Sequence, residues 1–348
     1  MPLDIRILTI APQISQDDTR LKKLETYAEQ AYKIFQFIIE HGPWTCHAED
    51  EDLFFDAYDG DTIPEPLFSK LPPQLRSVRV EGVMNAHLFN DISRPQLVGL
   101  TSIYISFAGF HPTVDQIYSM LAANPCLAKL CFNSGDTGTQ EFDITAITTL
   151  AHPRIILSDL VSLTFAHITN PVWNLCVLKL FQAPALQTLE LSFWFDPHTS
   201  QLLVDYIANQ CKKSSPCFPS TLRELSFFTG MVDYPDPEPL LCAYPNITTL
   251  KTGSFAGLLK RPWLVPNLAN LDVATRDASE VKDLIFGRCG DGLPLKKVHV
   301  RWCGDHDTLP LTNDEESEIG KLVNLTIWAR SSSADLGGET NKSEDHEE

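Results

Sequence analysis

The residues with the clearest chemical potential lie near the C-terminal end, in CGDGLPLKKVHVRWCGDH. Cys289, His299, Cys303 and His306 are zinc-ligand types, and Cys303 and His306 stand at C-x-x-H spacing. The remaining intervals fit no standard zinc module, so the spacing predicts packed thiols and surface histidines, and no metal. SGDTGTQ, residues 134–140, carries glycines but lacks the lysine and the frame of a phosphate loop. Residues 49–61, EDEDLFFDAYDGD, hold seven acids and no base. They lack the alternation, the sixth-position glycine and the closing glutamate of a calcium loop, so a solvated loop is expected. G-x-S-x-G, H-E-x-x-H and C-x-x-C are absent from the chain. A non-enzymatic protein without a cofactor is the expectation.

The elements that would position any site announce themselves more strongly. In APALQTLELSF, Leu186, Leu189 and Leu191 occupy positions one, four and six of a short frame. A helix with one buried face favours intervals of three and four, and a half-buried strand favours twos. The frame fits a strand in its second half, with position one turning a corner before it. It recurs at Leu75/Val78/Val80, Leu100/Ile103/Ile105, Leu127/Leu130/Phe132, Leu160/Leu163/Phe165, Leu222/Leu225/Phe227, Ile247/Leu250/Thr252, Leu268/Leu271/Val273, Leu295/Val298/Val300 and Leu322/Leu325/Ile327. That makes ten copies, spaced by a mean near 27 residues, inside the window of leucine-rich repeats. Proline stands one to three residues ahead of seven of them: Pro73, Pro125, Pro184, Pro219, Pro245, Pro266 and Pro294. It is expected to end the preceding helix and hold the chain extended into the strand.

Helical segments fall between the frames. Residues 113–124 offer Thr113 as a cap and Val114, Ile117 and Leu121 as one face. Residues 196–213 offer Leu202, Leu203, Tyr206 and Ile207, and residues 277–289 open on Asp277 and close near Gly290. A stray triplet, Leu175/Leu178/Leu180, falls where a helix is due, with Pro171 in its first turn. The fold expected is α/β: a leucine-rich-repeat solenoid of about ten irregular repeats, its curved parallel sheet on the concave side and its helices on the convex side.

Three regions follow. Residues 1–70 form an N-terminal helical capping segment with an acidic loop, in which 15–43 reads as one long amphipathic helix and Ile5/Leu8/Ile10 as an eroded first frame. Residues 71–330 are the repeat domain, and 331–348 a disordered acidic tail. The net charge is -18, of which the 49–61 loop supplies -7 and the tail, with six acids against Lys342, -5. The repeat body is therefore only mildly acidic, which disfavours nucleic acid as a partner. The chain has no stretch of eighteen apolar residues, and Asp4 and Arg6 interrupt any signal-peptide core. No membrane association is expected. Nine cysteines, scattered without paired spacing, predict reduced thiols and a cytoplasmic or nuclear protein.

The ten frames, the proline starts, and the phrases APALQTLELSF, PSTLRELSF and YPNITTL together resemble the leucine-rich-repeat portion of fungal-type F-box proteins. The resemblance covers residues 71–330. In that family an F-box opening with a Leu-Pro-x-Glu phrase holds the adaptor of a cullin-type ubiquitin ligase, while the repeats select the substrate. The resemblance thus implies a substrate-recognition module, with a ligase adaptor as partner if an F-box lies upstream. The nearest phrase here, KLPPQLRSV, already belongs to the first frame. The other reading is an interaction scaffold with no ligase link. If positions four and six point into the core, positions three, five and seven face a partner protein from the concave sheet. The candidates are Arg79, Tyr104, Lys129, Glu190, Phe228, Lys251, Asp272, His299, Arg301 and Trp328, with the cluster of His299, Arg301 and Trp328 favoured.

Overall fold

The structure is a computed structural model that describes residues 4–7, 75–84, 88–89, 91–137, 153–194, 197–210, 218–219, 221–229, 235–253, 255, 257–275, 277–302 and 311–329. The expected helix at 15–43, the acidic loop at 49–61 and the tail at 331–348 lie outside the described residues.

Eleven strands form one sheet. They are β1 (Asp4–Ile7), β2 (Ser77–Met84), β3 (Ser102–Gly109), β4 (Lys129–Thr137), β6 (Ser162–Ile168), β8 (Thr188–Phe193), β9 (Glu224–Thr229), β10 (Thr249–Thr252), β11 (Asn270–Thr275), β12 (Lys297–Trp302) and β13 (Asn324–Ala329). Every neighbouring pair is parallel, and spatial order follows chain order. The short β5 (Ile155–Ile156) and β7 (Phe181–Gln182) pair apart from it. The ten frames run in one register: Val78, Ile103, Leu130, Leu163, Leu189, Leu225, Leu250, Leu271, Val298 and Leu325 are successive partners.

The one-four-six spacing has a backbone cause. In eight of the nine junctions between frames the carbonyl at position two accepts both the position-two and position-three N–H groups of the next frame. Arg76 O takes Thr101 N and Ser102 N at 2.7 and 3.0 Å, and Val161 O takes Gln187 N and Thr188 N at 2.9 and 3.0 Å. The same pairing repeats through Thr101, Ala128, Gln187, Arg223, Thr248 and Ala269, so each oxygen uses both lone pairs. Just upstream, the position-one N–H closes a turn on the carbonyl three residues earlier, as Leu127 does on Asn124 at 3.1 Å and Leu186 on Ala183 at 3.2 Å. Pro125, Pro184, Pro245 and Pro266 stand second in these turns, where a fixed φ near −65° is required. Proline therefore shapes the corner, rather than extending the chain as the spacing alone suggests. In the second frame Asn124 does the same work from a distance: its Oδ1 accepts Leu100 N at 2.7 Å, and its Nδ2 donates to Leu97 O and Met120 O.

At the N-terminal end the expected frame shifts. Ile5 pairs with Val78 and Ile7 with Val80, so the strand uses residues 5 and 7, not Leu8 and Ile10, at positions four and six.

The helices are α1 (Val114–Ala122), α2 (Pro171–Lys179), α3 (Pro197–Gln210), α4 (Glu238–Ala243), α5 (Ala278–Gly290) and α6 (Asn313–Gly320). Thr113 caps α1 through a reciprocal box with Gln116, and Asp277 caps α5. The stray leucine triplet sits in and just after α2, as expected. α1 to α4 pack side by side in chain order. Their buried residues share one core with positions four and six, so the helices lie against that face of the sheet. Leu203 and Ile207 of α3 join the core, but Leu202, expected beside them, is 46% exposed. Arg288, 1% exposed, ends α5 by donating to the carbonyls of Leu293, Val265, Pro266 and Leu268. No helix among the described residues is long and apolar enough to cross a membrane.

His111 in the core sets a pH dependence in the acid range. His111 packs on Trp173 with ring centroids 4.6 Å apart, and its Nε2 lies 3.1 Å from Ser134 Oγ. Burial pushes its pKa down from 6.5 to about 4. The unfolded chain therefore binds a proton that the folded chain refuses between those values, and stability must fall as pH drops through that window. Urea unfolding should show a loss of roughly 2 kcal/mol between pH 7 and 5 that is missing in His111→Phe. A parent and variant with parallel pH profiles would contradict this.

Candidate partner-binding surface

The face opposite the helices carries positions three, five and seven, and every predicted contact residue stands on it. Arg79, Tyr104, Glu190, Lys251, Asp272 and His299 share the row at position five. Lys129 holds position three, and Phe228, Arg301 and Trp328 hold position seven. Among these three rows the bases Arg79, Lys129, Lys251, Lys297 and Arg301 meet the acids Glu81, Glu190, Glu224 and Asp272. The face is nearly charge-balanced in a chain of net charge -18.

Two linked groups form on it. Toward the N-terminal side, the Arg79 guanidinium lies 4.1 Å over the Tyr104 ring and pairs with Glu81. Asn133 Nδ2 donates to the Tyr104 hydroxyl at 3.3 Å, and Asn133 Oδ1 lies 3.0 Å from His167 Nδ1. His167 meets the Trp194 ring edge-on at 5.4 Å. This group runs across β2, β3, β4 and β6 to Trp194, one residue past β8. Asn133 and His167 were not among the predicted residues. Asn133 stands at position seven of its frame, so the frame rule could have found it. His167 could not be found that way, because a register shift between Phe165 and Ile168 adds a residue and leaves His167 at φ 49°.

Toward the C-terminal side, Arg301 Nε donates to Asp272 Oδ1 at 3.0 Å, and the guanidinium lies 4.3 Å over the Phe228 ring. Phe228 is on β9 and Arg301 on β12; Ala274, paired with Arg301 on β11, leaves room for that reach. The predicted trio is looser than its spacing suggests. Arg301 and Trp328 are register partners, but the guanidinium turns away toward Phe228, leaving Trp328 65% exposed. His299 is half-buried between Asp272 and Thr326, and its Nε2 is buried with no hydrogen-bond partner. Lys129 and Lys251 are exposed and join neither group. Cys303 and His306 lie outside the described residues. Among the described residues no three His, Cys, Asp or Glu side chains gather in a metal-holding group.

The side chains form flat ladders along the sheet and do not converge on a point, which suits contact with an extended surface. Compared with known proteins, the chain matches no family model, no curated protein and no solved structure.

Cysteines divide by environment. Cys126 and Cys242 are exposed and Cys176 is buried, so packing inside the core describes only part of the set. Cys131 stands at position five between Tyr104 and Thr164, where burial first and the Glu190 carboxylate second push its thiol up to about 12. At pH 8 iodoacetamide should alkylate Cys131 on the order of a thousandfold more slowly than an unperturbed thiol, while Cys126 and Cys242 react at ordinary rates. Peptide mapping that finds Cys131 labelled alongside them would refute that environment.

Proposed function

We propose that the sheet and its helices form a leucine-rich-repeat solenoid whose concave face, opposite the described helices, binds a protein partner without catalysing a reaction. The observation that carries this reading is the Phe228–Arg301–Asp272 group beside exposed Trp328. An arginine held in place by a ring and a carboxylate, next to an uncovered tryptophan, has the composition and low mobility of an interface centre. The balanced charge of the face favours a protein over a polyanion. The resemblance to F-box proteins makes that partner a substrate of a cullin-type ubiquitin ligase, with this chain as its recognition subunit. A scaffold without a ligase link is the second reading, favoured by the lack of a Leu-Pro-x-Glu phrase in these residues.

The test is affinity capture from native cells with the parent chain and the triple variant His299→Ala, Arg301→Ala, Trp328→Ala, quantified by mass spectrometry. At roughly 2 kcal/mol per anchor, specific partners should fall at least tenfold, and the melting temperature should barely move. The matched triple at Ser77, Arg79 and Glu81 should retain them. Unchanged capture by the first triple, or loss only with the second, would overturn the placement. Cullin adaptors among the captured proteins would favour the ligase reading, and their absence the scaffold.

A further inference from the structure

The last frame breaks the pattern of the other nine. Position one is 0–4% exposed from Leu75 to Leu295, but Leu322 is 36% exposed. Positions four and six are at most 2% exposed in those nine frames, whereas Leu325 and Ile327 are only half-buried. The backbone departs too: Val323 N donates to Ile319 O at 3.0 Å, leaving Lys296 O with Asn324 N alone at 3.1 Å. β13 is the last strand of the sheet among the described residues. Because Asn324 N turns toward β12, the parallel alternation turns the N–H and C=O groups of Leu325 and Ile327 outward, along an edge that no described strand pairs with. Such an edge is a template for another strand.

Charge selects the occupant. α6, which packs against β13, exposes Asp314, Glu316 and Glu318, while its Glu315 is engaged by Lys282. Lys321 and Arg330 are the two bases in residues 311–330, against the four acids Asp314, Glu315, Glu316 and Glu318. Residues 331–348 add six acids against Lys342 and contain one large apolar residue, Leu336, so this stretch suits neither the apolar nor the acidic part of the edge. A second copy pairing strand to strand would set two acidic α6 helices side by side, a like-charge contact that opposes association.

We propose that the edge of β13 accepts an added strand from a partner protein: an extended segment with alternate apolar residues, which cover Leu325 and Ile327, flanked by lysine or arginine that meets the α6 carboxylates. This site is separate from the face of positions three, five and seven and stands whether or not that face binds anything.

The probe is a synthetic peptide of about ten residues, alternating threonine and valine between paired lysines, with a version flanked by glutamate as control. Residue-resolved amide exchange on the full chain should show Leu325 and Ile327 gaining at least tenfold protection, with Thr326 and Trp328 unchanged because their N–H groups already face β12. Fluorescence anisotropy should show the glutamate-flanked peptide binding at least tenfold more weakly. Ile327→Lys should abolish binding; since that variant could also disturb the fold, Glu316→Lys with Glu318→Lys, both exposed, should reverse the preference between the peptides. Asp272→Ala with Arg301→Ala should leave peptide binding intact, which separates failure at the edge from failure at the face. The proposal is overturned if the Leu325 and Ile327 amides gain no protection, if both peptides bind alike, or if the chain dimerises through β13 and excludes the peptide.

Discussion

One hydrogen-bonding arrangement governs the molecule: the position-two carbonyl just before one strand holds two N–H groups of the next frame. Because both donors must meet one oxygen, the register cannot slide by a residue without losing both bonds and turning every apolar side chain to the wrong face. Eight successive junctions obey it, from Arg76 to Ala269. The turn at position one, the burial of positions four and six, and the outward display of positions three, five and seven all follow from it.

The arrangement constrains strands and leaves their crossovers free. α3 has 14 residues and α4 has 6, yet Leu225 and Leu250 keep their places in the register row on either side of α4. Apolar contacts are therefore mostly between neighbours in the chain, and an interruption should be felt most by the adjoining frames. The last strand of such an arrangement has no next pair of N–H groups and no next leucine to meet. β13, with its half-buried Leu325 and Ile327, shows that consequence directly.

How much was legible in the sequence depends on how local each cause is. The ten strands and four of the helices could be read because apolar spacing, prolines and caps such as Thr113 and Asp277 are written within a few residues of the element they form. The role of proline is not legible, because a turn and an extended start look alike in sequence and only the Leu186 N to Ala183 O bond separates them. The β1 frame is ambiguous in sequence, because Leu8 and Ile10 satisfy the pattern as well as Ile5 and Ile7, which pair with Val78 and Val80. Side-chain partners were the least legible. Arg301 and Trp328 are neighbours by register, but which way a long guanidinium turns depends on Phe228, 73 positions away in the chain, and on small Ala274 between them. His167 depended on a bulge, which alternation cannot reveal.

The central claim can be measured without a crystal, through scalar couplings transmitted across hydrogen bonds in the isotopically labelled chain. The account predicts that the Gln187 and Thr188 amides both couple to the Val161 carbonyl, and the Arg223 and Glu224 amides both to Gln187. Couplings from these amides to carbonyls one or two residues displaced, or a lack of coupling at consecutive junctions, would contradict it.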